Sequence, residues 1–347
     1  MRLLNERLAV MWLPASLIMI GGPIWLAWGR WRTLIEGHPL TNVVATAVLI
    51  VGALGLVWAI GTLVMTQDTP ARSTVGRRVA ATFSIIVVVI GVVVSLALGW
   101  ARPLPAQPVA VAAMRSSGPS DPGTGVRLVQ HLTWYEFVPN RPVGISPRPA
   151  PAGSPTTQPS DQPQPGSEPP IGMIFSPGAK VDARAYAAML RPFAEAGVLV
   201  VVLKEPFGLA LLPDGQVGAV LADHPAVKIW VAAGHSMGGV EAARMVNDHP
   251  EFDALLLWAG YPGWPVSRPI SVLSISGSAD GLSTPAAIGA AKPYLPDSAQ
   301  YLEVAGANHA AFGDYGRQPG DGALAGDRAA IQAKIIDASL AFVLGLH

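Results

Sequence analysis

Three side chains in this sequence have the types and the chain order that acyl transfer by a serine requires: Ser236, Asp280 and His309. A serine hydroxyl is a poor nucleophile at neutral pH. It needs a base to take its proton and a third group to orient that base. Ser236 stands in Gly234-His235-Ser236-Met237-Gly238, with the apolar run Val227 to Ala233 before it and the helical pattern Glu241-Ala242-Ala243-Arg244-Met245 after it. A serine on a sharp turn between a buried strand and a helix is a nucleophile elbow. The glycines leave room where a Cβ would collide with neighbouring elements, and the serine is expected at a strained backbone position. The helix that begins there aims free N–H groups and its positive dipole end at the site.

Asp280 lies in Ser276-Gly277-Ser278-Ala279-Asp280-Gly281 and His309 in Gly306-Ala307-Asn308-His309-Ala310. Each sits on a glycine-flanked loop directly after an expected strand, and the order Ser, acid, His suits a sheet of this kind. Asp280 could instead be a plain turn residue, since Asp-Gly is a common turn pair. Its rivals are weaker: Asp253 begins a strand and Asp297 precedes one. Among the histidines, His235 adjoins the nucleophile and is expected to point away from it. His224 and His249 each precede a proline, His131 is far upstream, His38 falls between apolar runs and His347 is terminal. His309 is therefore the candidate base. A tetrahedral oxyanion needs two N–H donors. Met237, after the nucleophile, supplies one, and Ala179, in Pro177-Gly178-Ala179-Lys180, is the candidate for the other. Lys180 reads as a solvated loop charge. The scattered histidines and the lack of carboxylate clusters give no metal-ligand spacing, and no cofactor is expected.

These residues need a scaffold that brings distant loops together. Gly172–Ser176, Val198–Leu203, the strand before the elbow, Ala254–Trp258, Ile270–Ser276 and Gln300–Val304 read as strands. Asp182–Ala196, the helix after the elbow and the amphipathic Arg328–Leu344 read as helices, and Val126–Val138 as a strand or hairpin arm. Continuous apolar strands alternating with helices predict an α/β fold, a mostly parallel sheet with helices on both faces. Its chemistry sits at the carboxyl ends of the strands, where all the candidates fall. The stretch from Ala259 to Pro269 is too short for a helical lid, which predicts a shallow, open cleft.

The chain has 347 residues, half of them hydrophobic, with 13% charged and no net charge. No nucleic-acid footprint is visible, and the absence of cysteine excludes disulfides and thiolate metal sites. The apolar excess is concentrated in residues 1–100. Three runs without a charged residue, Leu8–Trp28, Val43–Met65 and Val79–Trp100, are each 21 to 23 residues long. At 1.5 Å per residue such a run spans about 30 Å of hydrocarbon, so three transmembrane helices in a lipid bilayer are expected. Pro14 and Gly21-Gly22-Pro23 mark the first as the one to kink. Trp25, Trp28, Trp31 and Trp100 sit near run ends, as in an interfacial belt. With the N-terminus in the cytoplasm, Arg2, Arg7, Arg72, Arg77 and Arg78 lie inside against Arg30, Arg32, Arg102 and Arg115 outside. This modest bias places everything after Trp100 outside the cytoplasm. Residues 101–125, rich in Pro, Ala, Gly and Ser, read as a tether. Residues 126–347 read as the catalytic domain, with a Pro-rich insert at 139–170 whose composition cannot bury a core.

Several runs together resemble a bacterial alpha/beta-hydrolase family akin to dienelactone hydrolases. They are Phe175-Ser176-Pro177-Gly178-Ala179-Lys180-Val181, the Gly234–Gly239 elbow, Leu257-Trp258-Ala259-Gly260-Tyr261-Pro262, Gly277–Gly281, and Asn308-His309-Ala310-Ala311-Phe312-Gly313-Asp314-Tyr315-Gly316. The similarity covers about residues 126–344, and the last run is the most specific part of it. It implies an alpha/beta-hydrolase fold, with Ser236 as nucleophile, Asp280 as acid and His309 as base. The expected substrate is a small ester, thioester or lactone. The same machinery would serve an acyltransferase, and a hydrolase fold can also serve as a non-catalytic binding module, for which a damaged triad would be the sign.

Overall fold

The apolar runs fold as long helices: α1 (Arg2–Ala27), then the short α2 (Trp31–Glu36), α3 (Pro39–Val64) and α4 (Thr74–Trp100). In this computed structural model the described residues are 2–64, 74–117, 125–140, 171–210 and 215–346. Met65, Arg72, residues 118–124 of the tether, residues 141–170 of the Pro-rich insert, and His347 lie outside them. Two compact units result, Met1–Pro103 and Leu104–His347. In the first, α1 continues as one element through Pro14 and Pro23. Small residues let its helices approach closely, as is usual where lipid replaces water around a bundle. A Cβ on Gly22 would lie 2.1 Å from Ser95 Oγ, and one on Gly55 2.2 Å from the Trp12 ring. Ser95 Oγ donates to Ile18 O at 2.7 Å and Trp12 Nε1 donates to Ser84 Oγ at 2.7 Å. Leu54, Val57, Phe83 and Ile90 face outward. Glu6–Ala27, Pro39–Val64 and Arg78–Trp100 are long and apolar enough to cross a membrane.

Among the described residues the second unit is built on eight strands: β1 (Val126–Gln130), β2 (Trp134–Pro139), β3 (Ile171–Ser176), β4 (Leu199–Leu203), β5 (Ile229–His235), β6 (Phe252–Trp258), β7 (Ser271–Gly277) and β8 (Gln300–Val304). Their order is β1-β2-β4-β3-β5-β6-β7-β8. The β1–β2 and β2–β4 pairings are antiparallel and the rest parallel. The helices are α5 (Pro108–Ala113), α6 (Ala187–Glu195), α7 (Gln216–Asp223), α8 (Met237–Asp248), α9 (Pro285–Ala291) and α10 (Arg328–Leu344). The two-residue side-chain period of a strand splits the core by face. Met173 and Phe175 join Tyr186, Phe193, Trp258 and Ile335 on the α6–α10 side. Ile174 joins Val220, Met245, Leu255 and Leu257 on the α7–α8 side. Register then aligns the carboxyl ends: Ser176 pairs with Gly234, His235 with Trp258, and Gly277 with Val304.

Three details differ from the sequence reading. The segment Val126–Val138 is a hairpin of two strands, not one arm. The helix expected over Asp182–Ala196 is divided into a 3-10 turn, Ala183–Tyr186, and α6; the Asp182 side chain caps that turn by accepting the Arg184 N–H at 3.0 Å. Residues 104–117, read as tether, are folded against the second unit. Leu104 bridges Val181, and Ala110 of α5 is fully buried. The physical reason is that Pro108 starts a helix whose Val and Ala residues present an apolar face, so the segment buries surface that composition alone counts as linker.

Candidate active site

Ser236 lies between β5 and α8 with φ 56° and ψ −121°, a region that residues with a Cβ seldom occupy. The surroundings hold it there. Its N–H donates to Trp258 O at 2.9 Å and its carbonyl accepts from Gly239 N–H at 2.9 Å. A Cβ on Gly234 would meet Gly238 O at 2.0 Å, and one on Gly238 would meet Ser176 O at 2.0 Å and Pro177 O at 2.6 Å. Both glycines are thus required by close backbone approach. The second approach sets the start of α8 against the end of β3, where the loop carrying Ala179 begins.

The candidate acid and base meet. His309 opens a 3-10 turn, His309–Phe312, after β8, and its Nδ1 is 2.9 Å from Asp280 Oδ2. Both side chains are buried, at 1% and 0% exposure. Asp280 Oδ1 accepts the N–H groups of Leu282 and Ser283, each at 2.8 Å, so the carboxylate is fixed at both oxygens. A carboxylate can only accept, so Nδ1 carries the ring hydrogen and Nε2 the lone pair. Nε2 is enclosed and has no hydrogen-bond partner among the described residues. No hydrogen bond joins it to the partly exposed Ser236. The His309 ring packs 4.5 Å from that of His235, the residue just before the nucleophile.

Both expected oxyanion donors are unspent. Met237 is the first residue of α8, so its N–H lacks an intrahelical acceptor. Neither it nor the Ala179 N–H makes a hydrogen bond among the described residues. The neighbouring Gly178 N–H, by contrast, donates to Tyr186 Oη at 2.9 Å. Tyr186 Oη lies 2.8 Å from His235 Nδ1 and, with its own oxygen occupied by Gly178, donates there. Tyr186 therefore joins the loop of Ala179 to the residue before Ser236. Burial raises the Tyr186 phenol and lowers the His235 imidazole well below its ordinary range, the latter helped by the adjacent His309 ring, beside which a second positive charge would be repelled. His235 is thus a neutral acceptor wedged beside the base. The sequence reading points it away from the nucleophile and does not foresee its packing against His309.

The rival residues are elsewhere. Asp253 Oδ2 accepts the Trp230 N–H at 2.9 Å at the amino ends of the strands, and Asp297 is exposed. His224 Nε2 lies 3.1 Å from Glu136 Oε1, and His131 stacks on Trp134 at 4.6 Å. Lys180 takes φ 60° in the loop beside Ala179. Two residues that sequence reasoning passed over stand next to the site: Tyr186, inside an alanine-rich helical stretch, and Asp321, inside Pro319-Gly320-Asp321-Gly322, which reads as a turn. Neither carries a local signal beyond that: Asp321 bonds backbone N–H groups of two other loops, and Tyr186 bonds the Gly178 N–H and the His235 ring. No helix occurs in residues 259–270, and no group of three or more His, Asp or Glu is placed to hold a metal ion among the described residues.

No curated protein matches the chain. Residues 172–333 match the model of the alpha/beta hydrolase family, and it is to this family that the part of the chain running from β3 into α10, with Ser236, Asp280 and His309 inside it, is similar.

Proposed function

We propose that the chain is a membrane-anchored serine hydrolase cleaving a carboxylic ester, thioester or lactone. Ser236 Oγ attacks the substrate carbonyl while His309 Nε2 takes its proton. Asp280 holds the imidazole and stabilises the imidazolium, and the N–H groups of Met237 and Ala179 receive the oxyanion. Collapse of the tetrahedral intermediate expels the alcohol, thiol or ring oxygen, which takes the proton from His309. Water activated by the same imidazole then releases the acid and restores Ser236. The resemblance to dienelactone hydrolases, carried by the run Asn308–Gly316, brings lactones into the substrate class, and the short 259–270 connection favours small or extended substrates. The helices α1, α3 and α4 would anchor the enzyme, with the hydrolase unit outside the cytoplasm as the arginine bias suggests.

One observation carries the reading: a buried imidazole bound through Nδ1 to a fixed carboxylate, with a free Nε2, packed against His235, the residue before Ser236. An Nε2–Oγ contact is often long without substrate and tightens on binding. The test is a fluorophosphonate probe on the full chain in detergent. Wild type is expected to be labelled and Ser236→Ala not at all; labelling that survives the substitution removes Ser236 as nucleophile.

A further inference from the structure

Asp321 lies on neither triad loop, yet its carboxylate accepts from both. Oδ1 accepts the His309 N–H at 2.9 Å and the Gly281 N–H at 3.3 Å, and Oδ2 accepts the Ala310 N–H at 2.9 Å. Gly281 follows the acid and His309 is the base, so one side chain ties together the two backbones that must hold the Asp280–His309 bond. The segment around it is packed to match. A Cβ on Gly281 would meet Gly320 O and Gly322 N, both at 2.7 Å, and one on Gly322 would meet Ala279 O at 1.9 Å. Asn308 Nδ2 donates to Gly322 O at 2.9 Å. Charge-assisted bonds from a carboxylate to backbone N–H groups are about twice as strong as neutral ones. They fix loop backbones directly, without passing through side-chain rotamers.

We propose that Asp321 is a positioning residue for the triad: a carboxylate clamp that sets the spacing of the acid and base loops and so the aim of His309 Nε2. Its role in turnover rests on the serine-hydrolase reading above, whereas its role in holding His309 against Asp280 does not. The experiment separates the two, using the full chain in detergent as wild type, D321A and D321N. D321A removes every acceptor. D321N keeps one oxygen but turns an amide N–H toward a backbone donor, and so loses part of the clamp at nearly constant volume. Two readouts are taken: p-nitrophenyl acetate turnover, and the low-field proton resonance of an imidazole Nδ1–H bound to a carboxylate, assigned by its loss in D280N. D321A should lose or broaden that resonance. It should also lower kcat by about 10- to 100-fold with KM within about twofold, since a misaimed base costs the transition state more than binding. D321N should fall between it and wild type. A resonance unchanged in both variants overturns the clamp, whatever the activity, as does wild-type kcat in both. A resonance that weakens in the variants while wild type shows no turnover upholds the clamp and sinks the hydrolase reading instead.

Discussion

In and beside the candidate triad, each side chain is expected to fail in its own way. His309→Ala should lower esterase turnover by about 10³-fold or more, measured as kcat on a short-chain ester; an unchanged rate would mean that the base lies elsewhere. Tyr186→Phe is a subtler test, because it deletes one oxygen and leaves the ring in place. The Gly178 N–H and His235 Nδ1 each lose their partner. The loop bearing Ala179 then loosens relative to the elbow, and kcat should drop about tenfold with little change in KM. His235 adds a pH signature. Its imidazole is held well below the ordinary value of 6.5, so the unfolded chain takes up this proton more readily than the folded one. The associated stability is present above pH 6.5 and is lost as pH falls below it toward the folded value. Equilibrium unfolding of His235→Asn should show a shallower loss of stability in that acidic window than wild type does.

Among the elements, the junction of β5 and α8 is the one that tolerates least. The position a Cβ would take on Gly238 is 2.0 Å from a backbone carbonyl oxygen of β3, and backbone cannot move aside as a side-chain tip can. Gly238→Ala should cost about 1–3 kcal/mol or more of stability, read by thermal unfolding. Gly239→Ala, whose nearest neighbours are 3.2 Å and 3.3 Å away, should cost less. Equal losses would mean that the elbow does not pack as tightly as its backbone implies. The elbow was legible from its glycines because they are a local consequence of that crowding. Strands β3 to β7 were legible too, since buried parallel strands are largely apolar runs, whereas the edge strand β8, Gln300-Tyr301-Leu302-Glu303-Val304, is mostly exposed and carries a weaker pattern. The β1–β2 hairpin was not resolved as two strands, because Gln130-His131-Leu132-Thr133 has no glycine or proline to mark its turn. Helix α5 was hidden for the opposite reason: proline and alanine signalled a linker, and only burial against the second unit gave its apolar face a use.

For the whole molecule, the proposed anchoring by α1, α3 and α4 makes a prediction about the side of the bilayer on which the second unit lies. The chain has no cysteine, so single cysteines report cleanly. Arg32→Cys and Glu251→Cys, both exposed positions, should react with a membrane-impermeant maleimide in intact cells if the amino terminus is cytoplasmic. Reaction only after lysis would reverse the topology. The sequence by itself determined the three long apolar helices, the alternation of strands and helices, and the order of the candidate serine, acid and base. Each of these is written in runs or motifs short enough for neighbours in the chain to specify. Tertiary structure alone decided that Asp280 and His309 meet, that His235 wedges beside the base through Tyr186, and that Asp321 reaches both loops. Those contacts join residues made adjacent by strand order and register, and the partners of Asp321, like the Gly178 partner of Tyr186, are backbone N–H groups. Every residue but proline offers such a group, so no residue type in the sequence announces them.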